Sequence, residues 1–177
     1  MRVGLWEKGI CPKCEELLER SAKGKGRRLR ANSKSSRKRK SNYQTQLQRA
    51  KKAFQKLRRA EEADHNGMVS CCCGAGMFKW NDGRRVNGGH FYPAERLGTC
   101  FDPDNVWPQG AGMNMRMHDP IVNNRYRQFM LDKFGQDKLD EMESRSLMPK
   151  KYNAIELEQM AKEYEAKIRR IIKEKGI

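Results

Sequence analysis

The sequence has no long apolar run. Its mean hydropathy is −0.99, and nothing in it approaches the roughly 20 consecutive apolar residues of a membrane span. Residues 1–8 hold no apolar h-region, so a secretory signal is not expected. Apolar and aromatic residues are modest, at 37% and 8%. A small domain of that composition leans on packed helices or a bound metal as well as on its core. Histidine is scarce, three in 177 residues. The most telling absence is local: residues 20–60 contain no Asp or Glu, yet hold 17 of the 38 Lys and Arg. The other 136 residues carry 21 basic and 22 acidic side chains, a net of −1 against +16 for the whole chain. The low hydropathy argues against a membrane protein, and a nearly neutral body with one intensely basic segment points to a polyanionic partner, above all nucleic acid.

The chain divides by composition. Residues 1–20 predict a short helix with a Cys-x-x-Cys, Cys11 and Cys14, and Pro12 at its first position. Residues 21–41 are rich in Gly, Ser, Lys and Arg and predict a disordered basic linker. Over 42–66, Tyr43, Leu47, Ala50, Phe54 and Leu57 recur at helical spacing, which predicts a basic helix with a narrow apolar stripe ended by Asn66-Gly67. Residues 67–177 predict a small α+β domain. Met68–Cys73 suits a strand, and Met77–Trp80 and Arg84–Val86 suit a hairpin around Asn81-Asp82-Gly83. Asp119-Pro120 marks a helix start and Gly135 its end, with a short helix to follow over 138–145. Asn153 and Glu156 suggest a capping box, and Leu157, Met160, Tyr164, Ile168 and Ile171 give the last helix its apolar stripe.

His90, Asn105 and His118 fall in that order over about 30 residues, with an expected strand before the first and a helix after the last. That is the layout of a ββα-metal, or HNH, nuclease site. In such a site the first His takes a proton from the attacking water. A divalent metal, Mg or Mn, stabilises charge on the phosphate, and the His ahead of the helix helps to hold it. The Asn orients the first His through its loop. Other residues have simpler readings. His65 suits a helix C-terminus, Asp102 and Asp104 suit turn chemistry, and Cys100 a small buried side chain. Trp80, Tyr92 and Trp107 suit either the core or stacking on exposed bases.

The sequence resembles the NinG (also called Rap) recombination proteins of lambdoid phages over about residues 43–175. The resemblance is carried by Ser70-Cys-Cys-Cys-Gly74, by Gly-Gly-His90-Phe-Tyr and by Phe101-Asp-Pro-Asp-Asn105-Val. It continues through Pro108-Gln109, Asn114, Tyr126-Arg127, Phe134-Gly-Gln, Leu139–Glu143 and Glu163-Tyr164. It implies an HNH-like endonuclease that cuts branched recombination intermediates, D-loops or four-way junctions, in the cytoplasm of a bacterial host. It also implies a structural zinc on two Cys-x-x-Cys pairs. Here the second pair is replaced by Gly110 and Met113, and the first reads Ser70 and Cys73. A four-Cys knuckle at those positions cannot form. The family's third motif residue falls at Arg116, so His118 fills the role only with a local shift.

Cys11, Cys14, Cys71 and Cys73 form an alternative thiolate set, with Cys71 and Cys73 sharing one strand face. A reduced, metal-free cluster, or zinc on two or three of these residues, remains open beside it. Backbone contacts to DNA are expected from Arg27, Arg28, Arg37, Lys38, Arg39 and Lys40 in the linker. Lys51, Lys52, Arg58 and Arg59 of the basic helix, and Arg84 and Arg85 of the hairpin, complete that expectation. Two further readings stand beside the nuclease: a catalytically inactive DNA-binding recombination accessory, and an RNA- or ribosome-binding basic protein.

Overall fold

The computed structural model describes Arg20 and residues 41–177. The expected helix over 1–20 and the linker over 21–41 lie outside the described residues, apart from Arg20 and Ser41.

Helix α1 spans Asn42–Glu61. Ser41 starts it with a capping box: its hydroxyl accepts from the Gln44 N–H, and the Gln44 side chain accepts from the Ser41 N–H, each at 3.2 Å. The helix stops at Glu61 rather than at 66, and Gly67 (φ +68°) turns the chain. Lys175, more than a hundred residues on, donates to the carbonyls of Ala60, Glu61 and Ala63 at 3.1, 2.7 and 2.7 Å. Those are carbonyls that a helix end leaves without partners of its own.

Four short strands make two antiparallel pairs. Strand β1 (Met68–Ser70) pairs with β2 (Met77–Lys79), Val69 facing Phe78. Strand β3 (Val86–His90) pairs with β4 (Val106–Gly110), Val86 opposite Gly110 and His90 opposite Val106. The expected hairpin between 77–80 and 84–86 does not form. Asp82 accepts instead from the following backbone: its carboxylate from Arg84 and its carbonyl from Arg85 and Val86, at 3.0–3.1 Å. That winds residues 82–86 into a tight coil and leaves β2 to pair backwards with β1. The expected strand over Met68–Cys73 ends at Ser70, because glycines at φ +72° (Gly74) and +102° (Gly76) reverse the chain there.

After β4 come α2 (Ala111–Met115), α3 (Pro120–Leu147) and α4 (Ala154–Lys175). Asp119 caps α3 and Asn153 caps α4, the latter in the anticipated reciprocal box with Glu156. Gly135 (φ 76°, ψ 171°) breaks the helical geometry within α3, so the expected pair of helices appears as one kinked element.

Helix α1 is buried on two sides. Ala50, Ala53, Leu157 and Ala161 bring it against α4, with the Phe54 and Tyr164 rings 5.1 Å apart. Its other side meets β3. A Cβ on Gly88 would lie 2.8 Å from the Gln55 Cα, and one on Gly89 would lie 2.1 Å from Gln109 Oε1. Strand alternation therefore sends Val86, Gly88 and His90 toward α1. The opposite face, with Trp107 and Gln109 of β4, packs under α3 against Tyr126, Phe129 and Met117.

Gly88→Ala should destabilise the protein by about 1–3 kcal/mol, because the clash is with helix backbone. Gly112→Ala, with nothing within 4 Å of the added carbon, should stay within about 0.5 kcal/mol of wild type. Urea unfolding measures both; equal values for the two would refute the close approach.

Candidate functional site

His90 ends β3 with a half-buried ring. Its Nε2 lies 2.9 Å from the Cys100 carbonyl. A carbonyl only accepts, so Nε2 carries the proton and, in the neutral ring, Nδ1 keeps its lone pair. Burial pushes the imidazole below its ordinary value of 6.5; the Cys100 hydrogen bond opposes this and the Lys51 charge reinforces it. A neutral imidazole with one nitrogen held and the other basic can accept a proton.

Asn105 is fully buried between the ends of the loop that follows His90. Its Oδ1 accepts from the Tyr92 N–H at 2.7 Å, and its Nδ2 donates to the Tyr92 and Thr99 carbonyls at 3.1 and 3.0 Å. Its own carbonyl accepts from Phe91 at 2.9 Å. Asn105 thus closes the loop that carries the Cys100 carbonyl, and the loop orients His90. Asp102 and Asp104 shape the turn ahead of it, the Asp102 carboxylate accepting from the Asp104 N–H at 2.9 Å.

His118 is elsewhere. It is exposed in the turn before α3, and α3 covers the face of β3–β4 opposite to His90. Among the described residues, no hydrogen bond joins His118 to His90. Among the described residues, no group of three or more His, Cys, Asp or Glu is placed to hold a metal.

Cys71 and Cys73 do not sit on a strand. They lie with Cys72 in the turn after β1, and all three thiols are buried and free. The Cys72 and Cys73 sulfurs are 3.9 Å apart, Cys71 Sγ accepts from the Gly110 N–H at 3.2 Å, and Cys73 Sγ from the Gln109 side chain at 3.1 Å. Hydrogen bonds from the neighbouring thiols draw Cys71 below the usual thiol range, while burial pushes Cys72 up. Cys72 thus joins the cluster, because a turn, unlike a strand, sends adjacent side chains to one side. Cys11 and Cys14 lie outside the described residues. Cys100 is buried, which raises its thiol to about 11.

The basic helix is largely spent on the fold. Arg58 and Arg59 are buried, donating to the Val106 and Val86 carbonyls at 3.1 and 2.9 Å. Arg58 also pairs with Glu61 and Glu62. Lys51 donates to the Ala94 carbonyl at 2.7 Å, and Arg49 to Glu165. The expectation that Arg58 and Arg59 contact DNA is therefore corrected: both are buried and satisfy strand carbonyls. Lys52, Arg84 and Arg85 are exposed. Arg27, Arg28, Arg37, Lys38, Arg39 and Lys40 lie outside the described residues. Trp80 and Trp107 are core residues, the latter between Arg58 and Lys133 at 4.9 and 4.3 Å. Tyr92 donates its hydroxyl to the Leu139 carbonyl. No helix among the described residues is long and apolar enough to cross a membrane.

A family model described as Bacteriophage Lambda NinG protein matches residues 7–174. No curated protein and no solved structure matches the chain.

The buried imidazole links stability to pH. His90 resists protonation in the folded state, whereas the unfolded chain takes up the proton near 6.5. Its contribution is therefore complete above 6.5 and is lost as the pH falls through 6.5 toward the lower folded value. His90→Gln keeps a donor and removes the titration. Between pH 7 and 5 the wild type should lose more stability than this variant; parallel curves would show that the ring is not held neutral.

Proposed function

We propose that this chain, which belongs to the NinG family of phage recombination proteins, binds branched DNA recombination intermediates and hydrolyses a phosphodiester bond in them. The observation that carries the reading is the held neutral imidazole of His90 at the end of a strand, oriented through a loop that Asn105 closes. Nδ1 takes the proton of the attacking water, and the Cys100 carbonyl steadies the imidazolium that results. A divalent ion, Mg or Mn, belongs to this chemistry in general. Among the described residues, no group of three or more His, Cys, Asp or Glu is assembled to hold one. The zinc reading of Cys11, Cys14, Cys71 and Cys73 is likewise a proposal, supported by the convergence of the thiols at 71–73.

A second reading is favoured by Gly110 and Met113 standing where the second Cys pair is expected. In it the protein is a non-cleaving accessory that holds branched DNA.

Incubating full-length protein with a labelled four-way junction or D-loop and Mg²⁺ or Mn²⁺ separates the two. Cleavage that falls by about 10²- to 10⁴-fold in His90→Ala supports the nuclease. Junction binding with no cleavage by wild type supports the accessory, and no binding removes both. Metal content of the purified protein bears on the zinc: one ion per chain supports the thiol site, and none refutes it.

A further inference from the structure

The β3–β4 hairpin has a second feature at the end away from His90. There an open groove of about 390 Å³ runs between the β1–β2 turn and α2. Phe78 is half-buried in it, and Arg84, Arg85 and Arg116 line it with no acidic residue among the lining side chains. Arg84 and Arg85 are exposed and have no acidic partner among the described residues; Arg116 pairs with Asp119 at 2.8 Å while 59% of its side chain stays exposed. The Arg85 guanidinium lies 5.8 Å from the Phe78 ring centre. Gly110 keeps the ring open: a Cβ there would stand 3.2 Å from Phe78 Cζ. The volume falls at the lower end of the range for small-molecule sites. Three cations around one recessed aromatic face match a phosphate joined to a planar base.

We propose that this groove holds one unpaired nucleotide of a single-stranded DNA segment, its phosphate among Arg84, Arg85 and Arg116 and its base against Phe78. The inference rests on the reading that the protein binds branched DNA. A base within a duplex has both faces covered by stacked neighbours, so a recessed ring can be used only by a base that is unstacked. Junctions and D-loops supply such bases beside duplex arms. The groove lies four residue steps along the hairpin from the His90–Val106 pair, about 13 Å. An unpaired nucleotide seated there would orient the branch relative to His90.

The test uses full-length protein and fluorescence anisotropy with labelled oligo-dT and a duplex of equal length at one salt concentration. Phe78→Ala should weaken single-strand binding about tenfold and leave duplex binding unchanged, and Phe78→Tyr should retain it. Arg84→Gln with Arg116→Gln, both at exposed positions, should lower the single-strand salt slope by about 0.7 for each arginine removed. This arm stands even if Phe78→Ala fails to fold. If the wild type binds neither oligonucleotide, the DNA-binding reading itself fails. If the wild type binds both, the groove alone is overturned by equal losses on the two DNAs, or by no loss and an unchanged slope in the arginine variant.

Discussion

The approach of β3 to helix α1 at Gly88 is the constraint on which the rest of the body depends. At that distance no side chain fits between strand and helix. The approach puts strand carbonyls within reach of helix arginines at both ends of the hairpin. Arg58 reaches Val106 beside His90, and Arg59 reaches Val86 beside Gly110. A buried guanidinium is expensive unless its donors find partners. Arg58 has two glutamates and a carbonyl. Arg59 has a carbonyl, and burial lowers its affinity for the proton. Gly89 makes the matching concession on the other face, where the Gln109 side chain occupies the space a Cβ would need. The two glycines ahead of His90 thus set both the depth of its ring and the seating of the hairpin.

This arrangement changes what the basic segment means. Residues 41–177 hold 24 Lys and Arg and 18 Asp and Glu, and of the positive charge on α1 Arg49, Lys51, Arg58 and Arg59 are turned inward or paired, while Lys52 and Lys56 face solvent. Attraction for a polyanion then falls largely to side chains outside that helix. Arg84, Arg85 and Arg116 stand at one end of the hairpin, and residues 21–40 hold ten further Lys and Arg. Charge read along a sequence counts every cation alike, whereas the fold sorts them into those that bind carbonyls and those that face solvent.

Much of the helical architecture was legible. The stripe from Leu47 to Leu57, the Asp119-Pro120 start, the interruption at Gly135 and the Asn153/Glu156 box are local signals, and local hydrogen bonds decide them. The strands were less so. Three residues carry too little alternation to set a partner, and Asp82-Gly83, a good tight-turn pair, was drawn into a coil by the Asp82 carbonyl and carboxylate. At the candidate site, His90 and Asn105 were legible from order and spacing, and Asn105 bonds to the loop that orients the ring. The face that His90 takes was not, because which face a strand residue takes depends on register. Nor was the inward turn of Arg58 and Arg59, although Ala50, Ala53 and Ala60, small residues along the same helix, were a signal that something packs closely there.

The clasp between α1 and α4 has a kinetic side. Lys175 reaches Ala60 across 115 residues, and Arg49 reaches Glu165 across 116. Contacts so distant along the chain raise the contact order, since a long loop must close before either helix gains its partner. Until then the Ala50 and Ala53 side of α1 lacks its cover, whereas Leu57, Arg58 and Arg59 find partners on the nearer strands. The strand pairs are short-range and can form early. The α4-facing side of the helix is therefore the side whose partner lies farthest along the chain.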